Sequence, residues 1–539
     1  MIDNIFKGLL LATIFTTLGA STTLSADTAE PRSPCNQLYQ FAVTGGRDIS
    51  QAYLWIPEDC TKLRGLLILS ENVPECLIAG HPAIRKACAD NQLGILYTTL
   101  GFWPYDGEPK DATDAERIEH LQALLNKLAE KSGYPEVATV PWLPIGESMM
   151  LDMVRGLVDE KPERCMAGIF SNDIGYRNNR SVPILAFQGT AGEWTQTKGD
   201  LRSSWKNTGR YPAACAERGK SPEWPASFVV EPGGGHFNCS EQILQYYALY
   251  IDRVAKARLS DDGSPSLKPV DLDSGFLARL PVDGTPQPIE PARGASDTAR
   301  PWFFDRESAE RAQAMANVNW NAETQLPTVL AGDHCVVKPW SHNSVTEVDV
   351  STDSEFSLQP VLLDQFPAEF VTAGQPLAKS THTPAIEWLR GLAAPLGNNR
   401  FCVELDRNYK NPKYLVPPCL MVAVQGDGKT RYSVQPVMVH LIENASGAPQ
   451  TLDFKKINDV PVGTISVPLE AQASSGRPVK FFVEAGPALV EKNELRFTKM
   501  PPRTRFPVEV TVTAWQWGTC DAPLFQKALS SQTFYIVKP

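Results

Sequence analysis

The chain has little of several things that would settle its class at once. No two cysteines form C-x-x-C and no H-E-x-x-H occurs, which removes the spacing signatures of structural and catalytic zinc, and no cofactor motif stands in their place. Beyond the amino terminus, no segment approaches the roughly 20 consecutive apolar residues that a membrane helix needs. The 51 lysines and arginines are scattered and are outnumbered by 61 aspartates and glutamates, giving a formal net charge of −10. Without a clustered basic surface, nucleic acid is not an expected partner. Histidine is sparse, at seven in 539 residues, so a general base has few candidates.

What is present is enough apolar residue, 42%, to bury several cores, and the length suggests two to four domains. Lys7, an apolar run from Gly8 to Ala20 and small residues ending at Ala26 fit a secretory signal peptide over residues 1–26, so the protein is expected to be exported to the periplasm, the cell surface or the medium. Removing that segment takes away one acid and one base and leaves the charge unchanged. All eleven cysteines follow it, a number that in an exported protein favours disulfides with one thiol left over. Cys76 with Cys88 and Cys402 with Cys419 are the plausible local pairings.

From Cys35 to about Ser260 short β-like runs alternate with helical ones. Gln37–Val43 and Gln51–Ile56 read as a leading antiparallel pair. Gly65–Leu69, Leu93–Thr99, Val137–Ile145, Cys165–Ser171, Val182–Gln188 and Ser227–Glu231 read as buried parallel strands, and Glu116–Lys131 is the clearest helix between them. Interleaved strands and helices imply a doubly wound α/β sheet, whose ligands bind beyond the carboxyl ends of the strands. Residues 27–260 are therefore assigned to this domain. Residues 261–300 turn to Pro, Gly, Ser and Asp and read as a linker or an extended strap. Residues 301–449 begin with a helix over Trp302–Val318 and continue as short alternating strands that favour a β-sandwich, and residues 450–539 alternate in the same way.

The chemistry centres on Val137–Asp159. An apolar run feeds Gly146-Glu147-Ser148-Met149-Met150, and Leu151, Met153, Val154, Leu157 and Val158 follow at helical spacing. This is a strand, a sharp turn carrying a serine, and a helix: a nucleophile elbow, in which the hydroxyl stands above the sheet and the next N–H can face a developing oxyanion. Pro141 and Pro144 weigh against a regular strand there, since neither can donate to a ladder. A serine needs a base to take its proton and a third group to hold that base's tautomer. His236 lies immediately after the last predicted strand, in Glu231-Pro232-Gly233-Gly234-Gly235-His236-Phe237, where glycines leave the loop free to swing an imidazole over the serine. For the acid, Val182–Gln188 runs into Gly189-Thr190-Ala191-Gly192-Glu193-Trp194, which makes Glu193 the candidate and Asp173, after the preceding strand, the runner-up. The spacings from Ser148 to Glu193 and from Glu193 to His236 each leave room for about one helix and one strand. Oxyanion donors would be the N–H of Met149 and one from Ser70, Glu71 or Asn72, with Asn72 taken as the candidate. Trp103 and Trp194 stand on loops at the same end and could stack on a sugar or aromatic ring, while Trp142 belongs to the core.

These motifs resemble the α/β-hydrolase signature G-x-S-x-G with its chain order Ser, acid, His. Met150 stands where the final glycine belongs, and Gly192 stands where the family's loop usually carries aspartate. Over roughly residues 35–260 the chain is similar to secreted polyester depolymerases, feruloyl esterases and acetyl esterases. The resemblance implies carboxylic ester hydrolysis through an acyl-enzyme, without a cofactor, on an ester-bearing small molecule or a polymer such as a polysaccharide or polyester. In the last ninety residues Gln450–Phe454, Ala471–Val479, Gly486-Pro487-Ala488, Ala514-Trp515-Gln516-Trp517-Gly518 and Thr533-Phe534 resemble an immunoglobulin-like repeat of bacterial extracellular and adhesin-type proteins. Such modules space or attach, so cell-surface attachment through the β modules is implied. The expected class is thus an α/β-hydrolase sheet followed by all-β, sandwich and Ig-like domains. The alternatives are a peptidase of the same fold, and a surface binding or structural protein whose hydrolase domain has lost its activity.

Overall fold

The computed structural model describes residues 36–45, 51–99, 112–171, 179–189, 210–231, 233–234, 237–281, 285, 287–317, 322–338, 346–352, 354–368, 373–410 and 419–538. The proposed signal segment lies outside them. The apolar runs of the first region form one eight-stranded sheet: β1 (Phe41–Thr44), β2 (Gln51–Trp55), β3 (Gly65–Ser70), β4 (Leu93–Thr98), β5 (Trp142–Glu147), β6 (Gly168–Ser171), β7 (Ile184–Gly189) and β8 (Ala226–Glu231), in the order β1-β2-β4-β3-β5-β6-β7-β8. The first two strands form the expected antiparallel pair, β2 runs antiparallel to β4, and every later pairing is parallel. This is the α/β-hydrolase arrangement, followed by β-rich sheets. β3 to β8 are buried throughout because helices cover the sheet: α1 (Glu75–Gly80), α2 (Pro82–Asp90), α3 (Asp114–Ser132), α4 (Leu151–Glu160), α5 (Arg210–Lys220) and α6 (Glu241–Arg258).

β5 starts later than its apolar run suggests, because Pro135–Ala138 forms a 3₁₀ turn. Pro144 is inside the strand all the same. The pairing with the β6 side slips by one residue between the Trp142–Cys165 bridge and the Ile145–Ile169 partners, so the irregularity falls where no N–H exists to donate. Trp142 is fully buried, with Arg164 stacked 3.8 Å from its ring.

The segment after α6 lies along this α/β domain. β9 (Phe276–Ala278), β10 (Ile289–Pro291) and β11 (Trp302–Phe303) form a small antiparallel sheet, and the Ser227 hydroxyl donates to the Trp302 carbonyl (2.7 Å). The helix expected from Trp302 therefore begins only at α7 (Arg306–Ala316). Trp302 and Phe303 are committed to β9, and the Asp305 side chain caps the helix by accepting from the Ser308 N–H. Val318 lies outside the described residues.

Two sheets follow, one with the order β12-β15-β18-β17 and the other β13-β14-β20-β19-β16. Their strands are β12 (Pro327–Ala331), β13 (Cys335–Lys338), β14 (Thr346–Val350), β15 (Glu355–Leu362), β16 (Ala385–Arg390), β17 (Ala393–Gly397), β18 (Arg400–Val403), β19 (Cys419–Val424) and β20 (Ser433–Leu441). Val329, Val348, Phe356, Phe401, Leu420 and Val437 pack together between them. Beyond residue 450 come a four-stranded, a three-stranded and a two-stranded sheet.

The terminal region is not held off as a spacer. Phe481, Val483, Val510, Val512 and Phe534 belong to the same buried cluster as Tyr39, Phe41 and Leu128 of the α/β domain. Gly486 bridges Tyr39, and the Arg505 N–H donates to the Ser132 carbonyl (3.1 Å). Neither expected local disulfide forms, because Cys88 and Cys402 carry free thiols, and Cys60, Cys165, Cys215 and Cys239 are buried thiols as well. These cysteines serve as small apolar residues of the cores, which a count of eleven could not reveal.

Gly133 ends α3 at φ +80°, and a Cβ there would stand 2.5 Å from the Arg503 carbonyl oxygen. Gly133→Ala should therefore strain the helix end and push the terminal sheets away, destabilising the protein by about 1–3 kcal/mol. Denaturant unfolding followed by tryptophan fluorescence checks this, and an unchanged midpoint contradicts it.

Candidate active site

The elbow is built by two local constraints. Ser148, directly after β5, takes φ +50°, a left-handed conformation that costs a non-glycine residue on the order of 1–3 kcal/mol and persists only where its surroundings enforce it. Gly146 is one of those surroundings: a Cβ there would lie 2.4 Å from the Met150 carbonyl oxygen. The strand and the turn approach too closely for any other residue. Met150, which departs from the expected glycine, is accommodated at φ −77°, ψ −4°, an ordinary right-handed conformation, with its side chain buried. Close helix–strand approach comes instead at Gly168 on β6, where a Cβ would meet Val158 and Val154 of α4 at 3.1 and 3.2 Å. Ser148 and Met149 are half-buried at the carboxyl end of the parallel strands.

The turn is pinned from behind by carboxylates. Glu75, fully buried on α1, accepts the N–H of Glu147 on Oε1 (2.9 Å) and the N–H groups of Asn72 and Val73 on Oε2 (3.0 Å each). The Asn72 side chain donates to the Glu147 carboxylate (2.7 Å) and to its carbonyl (3.2 Å). Asn72 is thus beside the elbow, as expected, but its N–H points at Glu75. The Glu71 N–H likewise donates to the Thr98 carbonyl (2.8 Å). Of the two named oxyanion donors, Met149 directly follows Ser148, whereas Asn72 acts through Glu147.

On the far side, β8 ends in Glu231. Its carboxylate accepts from the Asn238 side chain and its carbonyl from the Gly234 N–H (3.1 Å), folding the described part of loop 231–240 back on itself. Burial pushes the Glu231 carboxyl up to about 8, and pushes Glu75 up to about 7 although backbone donors oppose the rise. Burial raises the Cys239 thiol well above its ordinary value, and the negative charge of neighbouring carboxylates, Glu231 foremost, adds to the rise.

His236, Glu193, Asp173, Trp103 and Trp194 all lie outside the described residues. β7 ends at Gly189, four residues before Glu193, and β8 ends five before His236. The carboxylates to which the sequence assigns no role are Glu75, Glu147 and Glu231, while Glu71, a candidate oxyanion donor, gives its N–H to Thr98 instead. A signal for two of the three exists: Glu147 and Glu231 each stand at the carboxyl end of an otherwise apolar strand run. Among the described residues no group of histidines, cysteines and carboxylates is arranged to hold a metal ion.

No family model matches the chain, and neither does any curated protein. Solved structures with some likeness include an S-formylglutathione hydrolase from Agrobacterium tumefaciens (11% identity, TM-score 0.29, covering 40% of this chain and 94% of that one). A monoglyceride lipase variant from Saccharomyces cerevisiae gives 10% identity and a TM-score of 0.28, over 43% of this chain and 97% of that one. Est1E from Butyrivibrio proteoclasticus gives 14% and 0.26, over 39% and 96%. At such scores they carry no argument for this chain, whose fold rests on its strand order.

A carboxyl held at about 8 keeps, in the folded chain, a proton that the unfolded chain releases near 4.5. The stability this contributes is complete below about pH 4.5 and is lost as pH rises through about 8, and Glu75 acts in the same direction up to about 7. The melting temperature should fall between pH 5 and pH 9, and Glu231→Gln should flatten the upper part of that fall by a few degrees. A melting temperature that rises over this interval contradicts the assignment.

Proposed function

We propose that the protein is an exported serine hydrolase that cleaves carboxylic esters through an acyl-enzyme. The observation that carries the reading is Ser148 at φ +50° on the turn between β5 and α4, held there by the contact of Gly146 with the Met150 carbonyl. In this mechanism the Ser148 hydroxyl attacks the ester carbonyl while His236 takes its proton. His236 returns the proton to the departing alcohol, then activates a water that releases the acid and restores the serine. Glu193 accepts the imidazole N–H and stabilises the imidazolium, and the Met149 N–H faces the tetrahedral oxyanion. The substrate is an ester-bearing small molecule or a polymer, no cofactor takes part, and the β regions provide for cell-surface attachment.

One observation favours a second reading, a binding protein on an inactive hydrolase scaffold: the N–H groups of Asn72 and Val73 are both committed to Glu75, so neither serves as the second oxyanion donor. A fluorophosphonate probe separates the two. On the hydrolase reading it labels Ser148 in the wild type and not in Ser148→Ala, and an unlabelled wild type supports the scaffold. Ser148→Ala and His236→Ala should each lower kcat on a short activated ester by about 10⁴-fold or more, with folding retained. Glu193→Gln should cost about 10⁴-fold while Asp173→Asn costs little, since only the former leaves the imidazole in the wrong tautomer. The reverse ranking transfers the acid's role to Asp173.

A further inference from the structure

β14 pairs with β20 over Val437–Leu441, so the first residues of β20 project past the described part of β14. There they meet the hydrolase. The Val434 N–H donates to the Gly233 carbonyl (3.2 Å), and the Gln435 side-chain amide lies 3.5 Å from the same oxygen. Gly233 sits at φ +78°, and a Cβ on it would stand 2.3 Å from the Tyr432 carbonyl oxygen. Only glycine can fill that position: the conformation is left-handed and the gap to the sandwich backbone is closed. Beside this contact, Cys419, Met421, Ala423 and Val434 of the sandwich form one buried apolar patch with Val73, against which Phe237 packs. A single surface of the sandwich therefore holds two hydrolase loops. One carries Asn72 and Val73 next to the elbow, and the other is the loop 231–240. The second loop is already tied at its base by Asn238 on Glu231 and at its exit by the Ser240 cap of α6. Further contacts hold Gly233 and Phe237, which stand three residues and one residue from His236 in the chain.

We propose that the β12–β20 domain is a positioning element of the hydrolase site: the start of β20 clamps the turn at Gly233 and, with the patch around Met421, sets the loop from which His236 serves Ser148. This rests on His236 being the base of the proposed mechanism. A base displaced by about 1 Å costs as much as 10²-fold in rate, so a clamp on its loop acts on kcat rather than on substrate binding.

The test uses the full chain and two independent readouts. Amide exchange over 231–240 reads the clamp itself, and kcat, KM and the acidic limb of the pH–rate profile on a short activated ester read its catalytic consequence. Gly233→Ala should speed exchange in this loop, lower kcat by roughly 10²-fold with KM little changed, and move the acidic limb. Met421→Ala should do the same more weakly, and Met421→Leu, which conserves volume, should restore both readouts. The Met421 pair decides the matter where Gly233→Ala does not fold. Unchanged exchange in the variants overturns the clamp. Faster exchange with unaltered kcat and pH profile overturns its role in positioning. A wild type that neither turns over esters nor accepts the fluorophosphonate refutes the hydrolase reading and with it the positioning role, while amide exchange still decides the clamp.

Discussion

The Glu75 carboxylate is the constraint on which the site depends. It gathers three backbone N–H groups from two segments far apart in sequence, Asn72 and Val73 after β3 and Glu147 at the end of β5. Those segments are the two walls of the turn that carries Ser148. A left-handed serine relaxes unless its neighbours forbid it. Here Gly146 is pressed against the Met150 carbonyl, and Glu147 is held at its N–H by Glu75 and at its carbonyl and carboxylate by Asn72. The cost is a cluster of buried acids. Burial keeps Glu75 and Glu231 protonated toward neutrality, and hydrogen bonding is what makes that burial tolerable.

The same loop is reached from above and from the side. Tyr97 donates to Glu71 (2.6 Å) and lies 2.9 Å from the Asn408 side-chain oxygen of the sandwich. Next to it Arg407 stacks over Tyr39 and Tyr53, at 4.7 and 5.0 Å from their rings, and Arg85 stacks over Tyr39 and Trp55. Cation–π contacts of this kind are worth more when desolvated, and Tyr39 and Tyr53 are buried. The sandwich thus grips the α/β domain at two places, the tyrosine box near β1, β2 and β4 and the patch over Val73 and Phe237. Two separated contacts resist rotation where one would act as a hinge.

How far the sequence carried depended on how local each feature is. The elbow was readable because an apolar run, G-x-S and a helical period are contiguous, and the parallel sheet because strands covered on both faces are uniformly apolar. Glu75 was not, since it opens helix α1 while its partner Glu147 ends a strand far away in sequence, and nothing in Pro74-Glu75-Cys76 marks a buried acid. Trp302 was read into a helix because an aromatic run followed by good helix formers fits either state, and pairing with Leu277 decided for a strand. The clamp on Gly233 was equally hidden. Val434 and Gln435 are ordinary strand residues, and only the place where β20 outruns β14 reveals their outward partner.

The terminal region illustrates the same rule at the scale of a domain. Its turn motifs read as a detachable module, yet β1 is the edge strand of the eight-stranded sheet, and an exposed edge invites pairing with other chains. Gly486 covers the approach to that edge by bridging Tyr39, while Lys131 bonds both the Ala42 carbonyl (2.8 Å) and Glu509 (3.0 Å). Partly exposed ion pairs such as this one contribute at most about 1 kcal/mol. The hold therefore comes from the apolar cluster that joins Phe481, Val483 and Val510 to Phe41 and Leu128. Taking the region away would uncover both the edge and that apolar face, so the terminal region completes the burial of the first sheet rather than hanging from it.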